Sequence, residues 1–536
     1  MASKTRTFFL NAISLTATEL LMRAVSVIFN IFVSNRAGSE AMGLFSLLGS
    51  VYAFSITVGS AGINLGTTRL ISDALALNDT ALAKRSMRRA LLCCLFTGAA
   101  ATILLFCLSE PLAIRILNDR RALSSLRILS LSIVPVAVCS CLSGYFTGVR
   151  RVKANAAFGV FAQIFKIGAT LFFLSVKEKS DAESACIALV LGITVSELLA
   201  LAISFALYMF DRKKLSTDKS QNTLSVTAPG GIPTSITRKL LSITLPVTAS
   251  ACIRSALSMV QHILIPKGIH ANGKSWSAAL SSYGALHGMA MPLLLFPSAL
   301  IYAFAGLLIP EVSECCTQGN TERLRRVSYR ALSFSLFFSI GVSGIILCFS
   351  RELGLAIYNN EETALYIRML APLIPVMYID GAVDAILKGS GHQVYSMNVN
   401  IIDTLTACLF AITLIPKIGI MGYVISIYAT EILNTTLSLI KMISVSRIRP
   451  RIMHQVFMPI LCVIGATNAA RLVLRLFGAF GSSTVKLIVG IVIAILIYIL
   501  LLFVTRTVTS EEQEFLNASL LSEKQYDLRF GIHEAR

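Results

Sequence analysis

FFLNAISLTATELLMRAVSVIFNIFV, residues 8–33, decides what kind of molecule this chain makes. A helix of about 20 apolar residues crosses the hydrocarbon core of a bilayer. This run is longer than that and carries Glu19 and Arg23 in its middle. An ionisable side chain at that depth costs at least roughly 2.5–3.5 kcal/mol on insertion scales, so it faces a partner or a watery cavity. Glu19 and Arg23 are four residues apart, on one helix face, and able to pair. The pair either only helps the bundle pack or lines a cavity. Arg254 sits at similar depth in a later run, 240–266, with no acid within a helical turn. Two arginines in two membrane helices point to a cavity that takes an anion.

The whole composition agrees with that first run. The 536 residues are 55% hydrophobic and 14% charged, with a mean hydropathy of +0.74, which describes a polytopic membrane protein. A net charge of +19 would ordinarily raise nucleic acid as a partner. Here the basic residues sit in short loops between apolar runs, so membrane topology explains them and no nucleic-acid partner is expected. The 12 cysteines lie mainly within apolar runs. They lack the spacing and histidine company of a metal site, so they read as small hydrophobes, and no metal or cofactor is expected. Lys4 and Arg6 precede the first run, but that run is too long for a signal-peptide core and is expected to stay as a membrane helix.

Fourteen candidate spans follow in order: 8–33, 42–65, 90–108, 126–147, 155–176 and 185–209, then 240–266, 281–309, 329–349, 364–388, 395–416 and 420–444, and finally 456–476 and 485–505. The expected division is an N-terminal six-helix half (1–209), a polar cytoplasmic linker (210–239) and a C-terminal six-helix half (240–444). Two additional helices (445–505) and a cytoplasmic tail (506–536) complete it. With the N-terminus inside, the inner loops hold the larger share of Lys and Arg, including Lys84-Arg85-Ser-Met-Arg88-Arg89 and Arg323-Leu-Arg325-Arg326. One outer loop dissents, with Arg115, Arg120, Arg121 and Arg127. An even number of spans returns the C-terminus to the cytoplasmic side.

The chain also repeats itself. Thr80–Leu91 aligns with Thr321–Leu332 at a shift of 241, which also sets Ser72-Asp73 on Ser313-Glu314, Gly43 on Gly284 and Gly148 on Gly389. Near the start the shift is closer to 231 and sets Arg23 on Arg254. Repeats of six spans keep the same orientation, so the halves are parallel and related about an axis along the membrane normal, with sites near mid-bilayer. The last two spans lie outside the repeat.

The segments Gly62-Ile-Asn-Leu-Gly-Thr-Thr-Arg69-Leu-Ile-Ser-Asp73, Leu142-Ser-Gly-Tyr145-Phe-Thr-Gly148 and Ile386-Leu-Lys-Gly389-Ser-Gly391 resemble the stage V sporulation protein B family. That family is a polysaccharide-flippase branch of the multidrug/oligosaccharidyl-lipid/polysaccharide exporter superfamily, related to the lipid II flippases. The resemblance covers essentially the whole chain. It implies flipping or export of a lipid-linked saccharide by alternating access, in peptidoglycan synthesis for the spore cortex. In the flippase relatives, arginines of the first, second and seventh helices line the cavity. Arg23 and Arg254 match the first and seventh, whereas the second span here, 42–65, has no basic residue, and Arg69 lies just beyond it.

Other polar residues lie within spans. Lys166 follows Gln163 in the fifth span and either faces the cavity or snorkels. Asp380, Asp384 and Lys388 share one helix face in the tenth, lining the cavity or pairing locally. Asp403 and Glu431 sit in the eleventh and twelfth. His262 and His287 either relay protons or are packed and hydrogen-bonded. No Gly-x4-Gly-Lys-Ser/Thr loop and no HExxH is present, so neither an ATP motor nor an enzyme is expected. Three classes remain: a carrier of a lipid-linked saccharide, a cation-coupled multidrug or small-solute antiporter of the same superfamily, and a non-transporting membrane scaffold. Bases in the cavity favour the first and acids the second. Candidate substrate-binding residues are therefore Arg23, Arg254, Lys166, Glu19, Asp380 and Asp384.

Overall fold

In lipid, each backbone polar group must be satisfied within its own segment, so apolar runs of this length fold as helices. The computed structural model describes residues 2–77, 79–149, 151–176, 181–217, 236–448, 451–476 and 483–505, without the side chains of 2–20, 152–156, 212–217, 476 and 483–484. Most of the linker and the whole tail, 218–235 and 506–536, lie outside these residues. The chain opens with α1 (Ala2–Ser60), α2 (Ile63–Ala76), α3 (Thr80–Pro111), α4 (Ala122–Ser130), α5 (Ile133–Gly148), α6 (Val152–Val176) and α7 (Ala182–Thr217). It continues through α8 (Ile236–Ala271), α9 (Trp276–Tyr283), α10 (Met291–Leu295), α11 (Ser298–Thr317), α12 (Thr321–Cys348), α13 (Ser350–Tyr358), α14 (Glu361–Leu370) and α15 (Ile374–Gly389). It ends with α16 (Gln393–Thr413), α17 (Ile415–Ile418), α18 (Ile420–Ser446), α19 (Met458–Leu476) and α20 (Ser483–Val504).

Thirteen stretches among the described residues are long and apolar enough to cross a membrane, and the first, Leu21–Ala76, is long enough for two. Gly38, at φ 82° and ψ 167°, divides it. Only glycine enters that region freely, so the chain turns there without a loop. The first two expected spans thus join in one kinked helix, and the protein is an all-α polytopic membrane protein of about fourteen transmembrane helices. The eighth expected span, 281–309, is interrupted. A π-helical turn, Gly284–Ala290, and a break at Phe296-Pro297 separate α9, α10 and α11. Pro297 has no N–H to continue the ladder. Pro372 and Pro375 do the same in the tenth span, where a 3-10 turn, Ala371–Leu373, separates α14 from α15.

The shift of 241 recurs in the helix boundaries. Both α3 and α12 begin at the aligned threonines, Thr80 and Thr321. Asp79 caps the first by accepting from the Leu82 N–H at 2.8 Å, and Asn320 caps the second by accepting from the Arg323 N–H at 2.9 Å. α5 and α15 each have 16 residues, begin at Ile133 and Ile374, and end at Gly148 and Gly389. A Cβ on Gly148 would lie 3.0 Å from both the Thr68 carbonyl oxygen and the Ile71 Cβ. A Cβ on Gly389 would lie 2.8 Å from the Ile309 carbonyl oxygen and 2.9 Å from the Val312 Cβ. Ile309 and Val312 are Thr68 and Ile71 moved by the same shift, so the two repeats pack this joint alike.

By contacts the chain forms two units, Met1–Pro292 with Thr404–Ile427, and Leu293–Asp403 with Tyr428–Arg536. Lipid tails are as apolar as leucine, so close packing by small residues holds membrane helices together rather than water exclusion. In the first unit α1 crosses the α9 region at two aligned glycines. A Cβ on Gly43 would fall 2.0 Å from the Leu280 carbonyl oxygen, and one on Gly284 1.9 Å from that of Ser39. Ser39 and Ser281 share a hydrogen bond of 2.7 Å beside them. In the second unit α19 and α20 pack on α12. Gln455 Nε2 donates to Ser333 Oγ at 2.6 Å, and the Tyr498 hydroxyl donates to the Phe337 carbonyl at 2.7 Å. Gly341 lies against the Tyr498 ring and Gly344 against Val463.

Candidate functional site

Arg23 is exposed on α1, and three residues on, Ser26 Oγ accepts from Gln163 Nε2 of α6 at 2.9 Å. Lys166 lies one turn past Gln163, half-buried, and acts electrostatically on Glu197 of α7. Glu19 lies one turn before Arg23, and its side chain is outside the described residues. Arg254 is exposed near the middle of α8, with no hydrogen bond or ion pair among the described residues. Its helix is fixed on both sides of it. Thr57 of α1 donates to Ser255 Oγ at 3.3 Å, the Thr248 hydroxyl donates to the Ala61 carbonyl at 2.6 Å, and Gly66 of α2 admits the Thr244 methyl. Arg23, Lys166 and Arg254 all belong to the first unit.

Asp380 and Asp384 belong to the second. Asp384 is held locally, with Lys388 Nζ at 2.5 Å on one oxygen and the Ser396 hydroxyl on the other. Asp380 is half-buried and within electrostatic reach of Asp403 and Glu431. Asn400 donates to the Ser396 carbonyl at 2.9 Å and stands 3.5 Å from Asn434, which continues a polar row across α16 and α18. Nothing in the spacing of those serines and asparagines announces that row, because each alone is an ordinary polar residue in a helix.

The two histidines meet. The His262 and His287 rings are 4.6 Å apart, Tyr283 stacks on His287 at 5.3 Å, the Tyr283 hydroxyl is 2.9 Å from His262 Nδ1, and Tyr423 reaches His287 Nδ1 at 3.4 Å. Both rings thus have a phenol partner, which is the packed, hydrogen-bonded arrangement.

Arg121, in the loop whose charge dissents from the topology, is committed to acids. It bridges Glu40 at 2.8 Å and Asp119 at 2.9 Å, and Trp276 Nε1 donates to Asp119 at 3.1 Å. The Asp119 hydrogen bonds raise the Arg121 pKa further above its ordinary value. Arg127 lies 3.9 Å from Glu110 and over the Phe106 ring. Beside this cluster, Arg36, Glu40, Asp181 and four serines line a cavity of about 570 Å3.

Comparison with known proteins agrees with this architecture. Stage V sporulation protein B of Bacillus subtilis (strain 168) is 26% identical over 518 residues, covering 95% of this chain and 97% of the relative. Sporulation protein YkvU of the same organism is 19% identical over 80% of this chain and 94% of its own. Among solved structures, the lipid II flippase MurJ in an inward closed conformation matches with a TM-score of 0.67 at 14% identity, over 92% of this chain and 99% of that one. An inward-facing multidrug resistance MATE family transporter of the MOP superfamily matches with a TM-score of 0.59 at 15% identity, over 81% and 99%. At such identities the likeness shows the fold. A MatE family model matches residues 273–413. A second family model, described as polysaccharide biosynthesis protein, matches residues 8–315, more than half of the 536, and the chain belongs to that family.

Proposed function

We propose that this protein carries a lipid-linked saccharide across the membrane by alternating access, with Arg23 and Arg254 taking the anionic head group. The observation that carries the reading is Arg254, a guanidinium in the middle of a membrane span with no counter-ion among the described residues. Such a group is costly in a membrane unless it serves a ligand or a watery path. A phosphate-bearing head group matches it, because guanidinium binds phosphate through parallel charge-assisted hydrogen bonds. Membership of the polysaccharide biosynthesis protein family supports a saccharide substrate. Similarity to stage V sporulation protein B along nearly the whole chain supports a place in sporulation, and a role in spore-cortex peptidoglycan is the finer form of the reading. Lys166 and Glu19 are the further candidates for this site, Glu19 by its spacing of four residues from Arg23 in the sequence. The same reading takes 1–209 and 240–444 as the moving halves, with both termini cytoplasmic and no catalytic step.

The test is flipping of a fluorescent lipid-linked saccharide by purified protein in liposomes. A hydrogen bond to a charged group contributes about 1.5–3 kcal/mol, so Arg254→Ala should slow flipping about 10–100-fold. Flipping by that variant at the rate of the unsubstituted protein would rule out the assignment. A cation-coupled antiporter is the second reading, favoured by Asp380, Asp403 and Glu431 lying within reach of one another. It requires a drug or solute flux that follows the sodium or proton gradient.

A further inference from the structure

The cavity of about 570 Å3 in the first unit lies at the end of the helices reached after an odd number of crossings. Its lining comes from the Gly38 kink of α1, the start of α7 and the start of α9. The Gly43–Gly284 crossing, where the two backbones touch, lies one turn below. Its volume is that of a small-molecule site, which runs from about 300 to 1,000 Å3.

The lining selects a chemistry. Glu40 is paired with Arg121 at 2.8 Å, a guanidinium it shares with Asp119. The side chains of Arg36 and Asp181 have no hydrogen bond or ion pair among the described residues, so those residues offer the cavity one open guanidinium and one open carboxylate. Ser277 adds a hydroxyl at the α9 start, and the Ser39–Ser281 pair forms the floor. Among the described residues Leu174 is the only large apolar side chain in the wall, so they give a lipid tail little to bury against. A compact phosphate dianion would meet the Asp181 carboxylate as well as Arg36. A ligand with one carboxylate and several hydroxyls suits both charges, since Arg36 forks onto the carboxylate and Asp181 accepts from hydroxyls.

We propose that this cavity is a binding site for a carboxylate-bearing saccharide. The choice of a saccharide rests on the carrier reading above, while the charge pattern stands without it.

The experiment uses the full chain in lipid nanodiscs and a soluble disaccharide of N-acetylglucosamine and N-acetylmuramic acid, against its neutral methyl ester. Calorimetry should show the acid binding at least ten-fold more tightly than the ester. Arg36→Gln should abolish that difference and leave the weaker ester binding unchanged. Arg36 is exposed, so the variant should fold, and an unaltered unfolding temperature checks this. Equal affinity for acid and ester, no binding of either, or a preference that survives Arg36→Gln overturns the proposal. Flipping is measured on the same preparations. Acid-selective binding without flipping keeps this site and removes the carrier reading, whereas flipping without acid-selective binding does the reverse. If Arg36→Gln also slows flipping, the bound saccharide is the carried head group. If flipping is unchanged, the site serves a free saccharide.

Discussion

Gly148 and Gly389 show how much one hydrogen atom can decide. Each lies where a methyl group would press on a carbonyl oxygen of the neighbouring helix, at 3.0 and 2.8 Å. Overpacking of this kind costs about 1–3 kcal/mol. Gly148→Ala and Gly389→Ala should each lower the unfolding temperature in detergent, the second more. Gly159→Ala is the control. It has nothing within 4 Å of the added atom, and helical alanine is favoured over glycine by roughly 0.5–1 kcal/mol, so that variant should be neutral or more stable. Both packed glycines were legible, because the sequence aligns them at the shift of 241. The Asp384–Lys388 pair was legible too, as one of two arrangements that a spacing of four permits. Arg36 was not. An arginine in a short loop reads as topology, and only the fold shows that Arg121 takes the local acid and leaves Arg36 without one.

At the scale of elements, proline and glycine were both legible only in part. Pro246, Pro292, Pro297, Pro372 and Pro375 all read as interruptions of their spans. Pro297, Pro372 and Pro375 lie where the helices break, since a missing N–H acts on the helix itself, whereas Pro246 lies inside α8 without ending it. The turn between the first two spans reads as an ordinary loop in sequence, yet the structure runs helix on both sides of Gly38. The cause is tertiary, since α1 must come down on α9 with its backbone against Leu280 and Gly284. That crossing joins the two repeats within the first unit, so a carrier that opens at this end must part it. Ser39 and Ser281, with hydroxyls 2.7 Å apart, allow a lock. In Ser39→Cys/Ser281→Cys the thiols should form a disulfide under mild oxidation, since bridged residues have Cβ atoms about 3.5–4.5 Å apart. Flipping should stop on oxidation and return on reduction. The 12 native cysteines require mass spectrometry of the 39–281 cross-linked peptide and an unsubstituted control. Full flipping with that bond formed would show that the crossing stays closed throughout transport.

For the whole molecule, the repeat was readable because equivalent joints need equivalent residues, whereas the contact units were not. The boundary at Pro292–Leu293 falls inside the eighth expected span, and only tertiary packing places it there. The two helices outside the repeat are bound to α12 through Gln455, Tyr498 and the glycines Gly341 and Gly344. Under the carrier reading they wall a groove for the polyprenyl chain, so deleting 456–505 should abolish flipping while the first twelve spans still insert. The energy source is the last consequence of the same reading. Arg23 and Arg254 give the empty carrier site positive charge, and a diphosphate head group largely cancels it. The loaded site then reorients with little regard for voltage. The empty site moves as a cation, at about 2.3 kcal/mol per charge per 100 mV, and an inside-negative potential draws it back toward the cytoplasm. Net outward flipping follows without ATP. In liposomes under imposed potassium diffusion potentials, Arg254→Ala should flatten the dependence of flipping on voltage. Glu19→Gln should steepen it, because removing an acid one turn from Arg23 adds to the charge that returns. If both variants keep the voltage dependence of the unsubstituted protein, the membrane potential does not act through these residues.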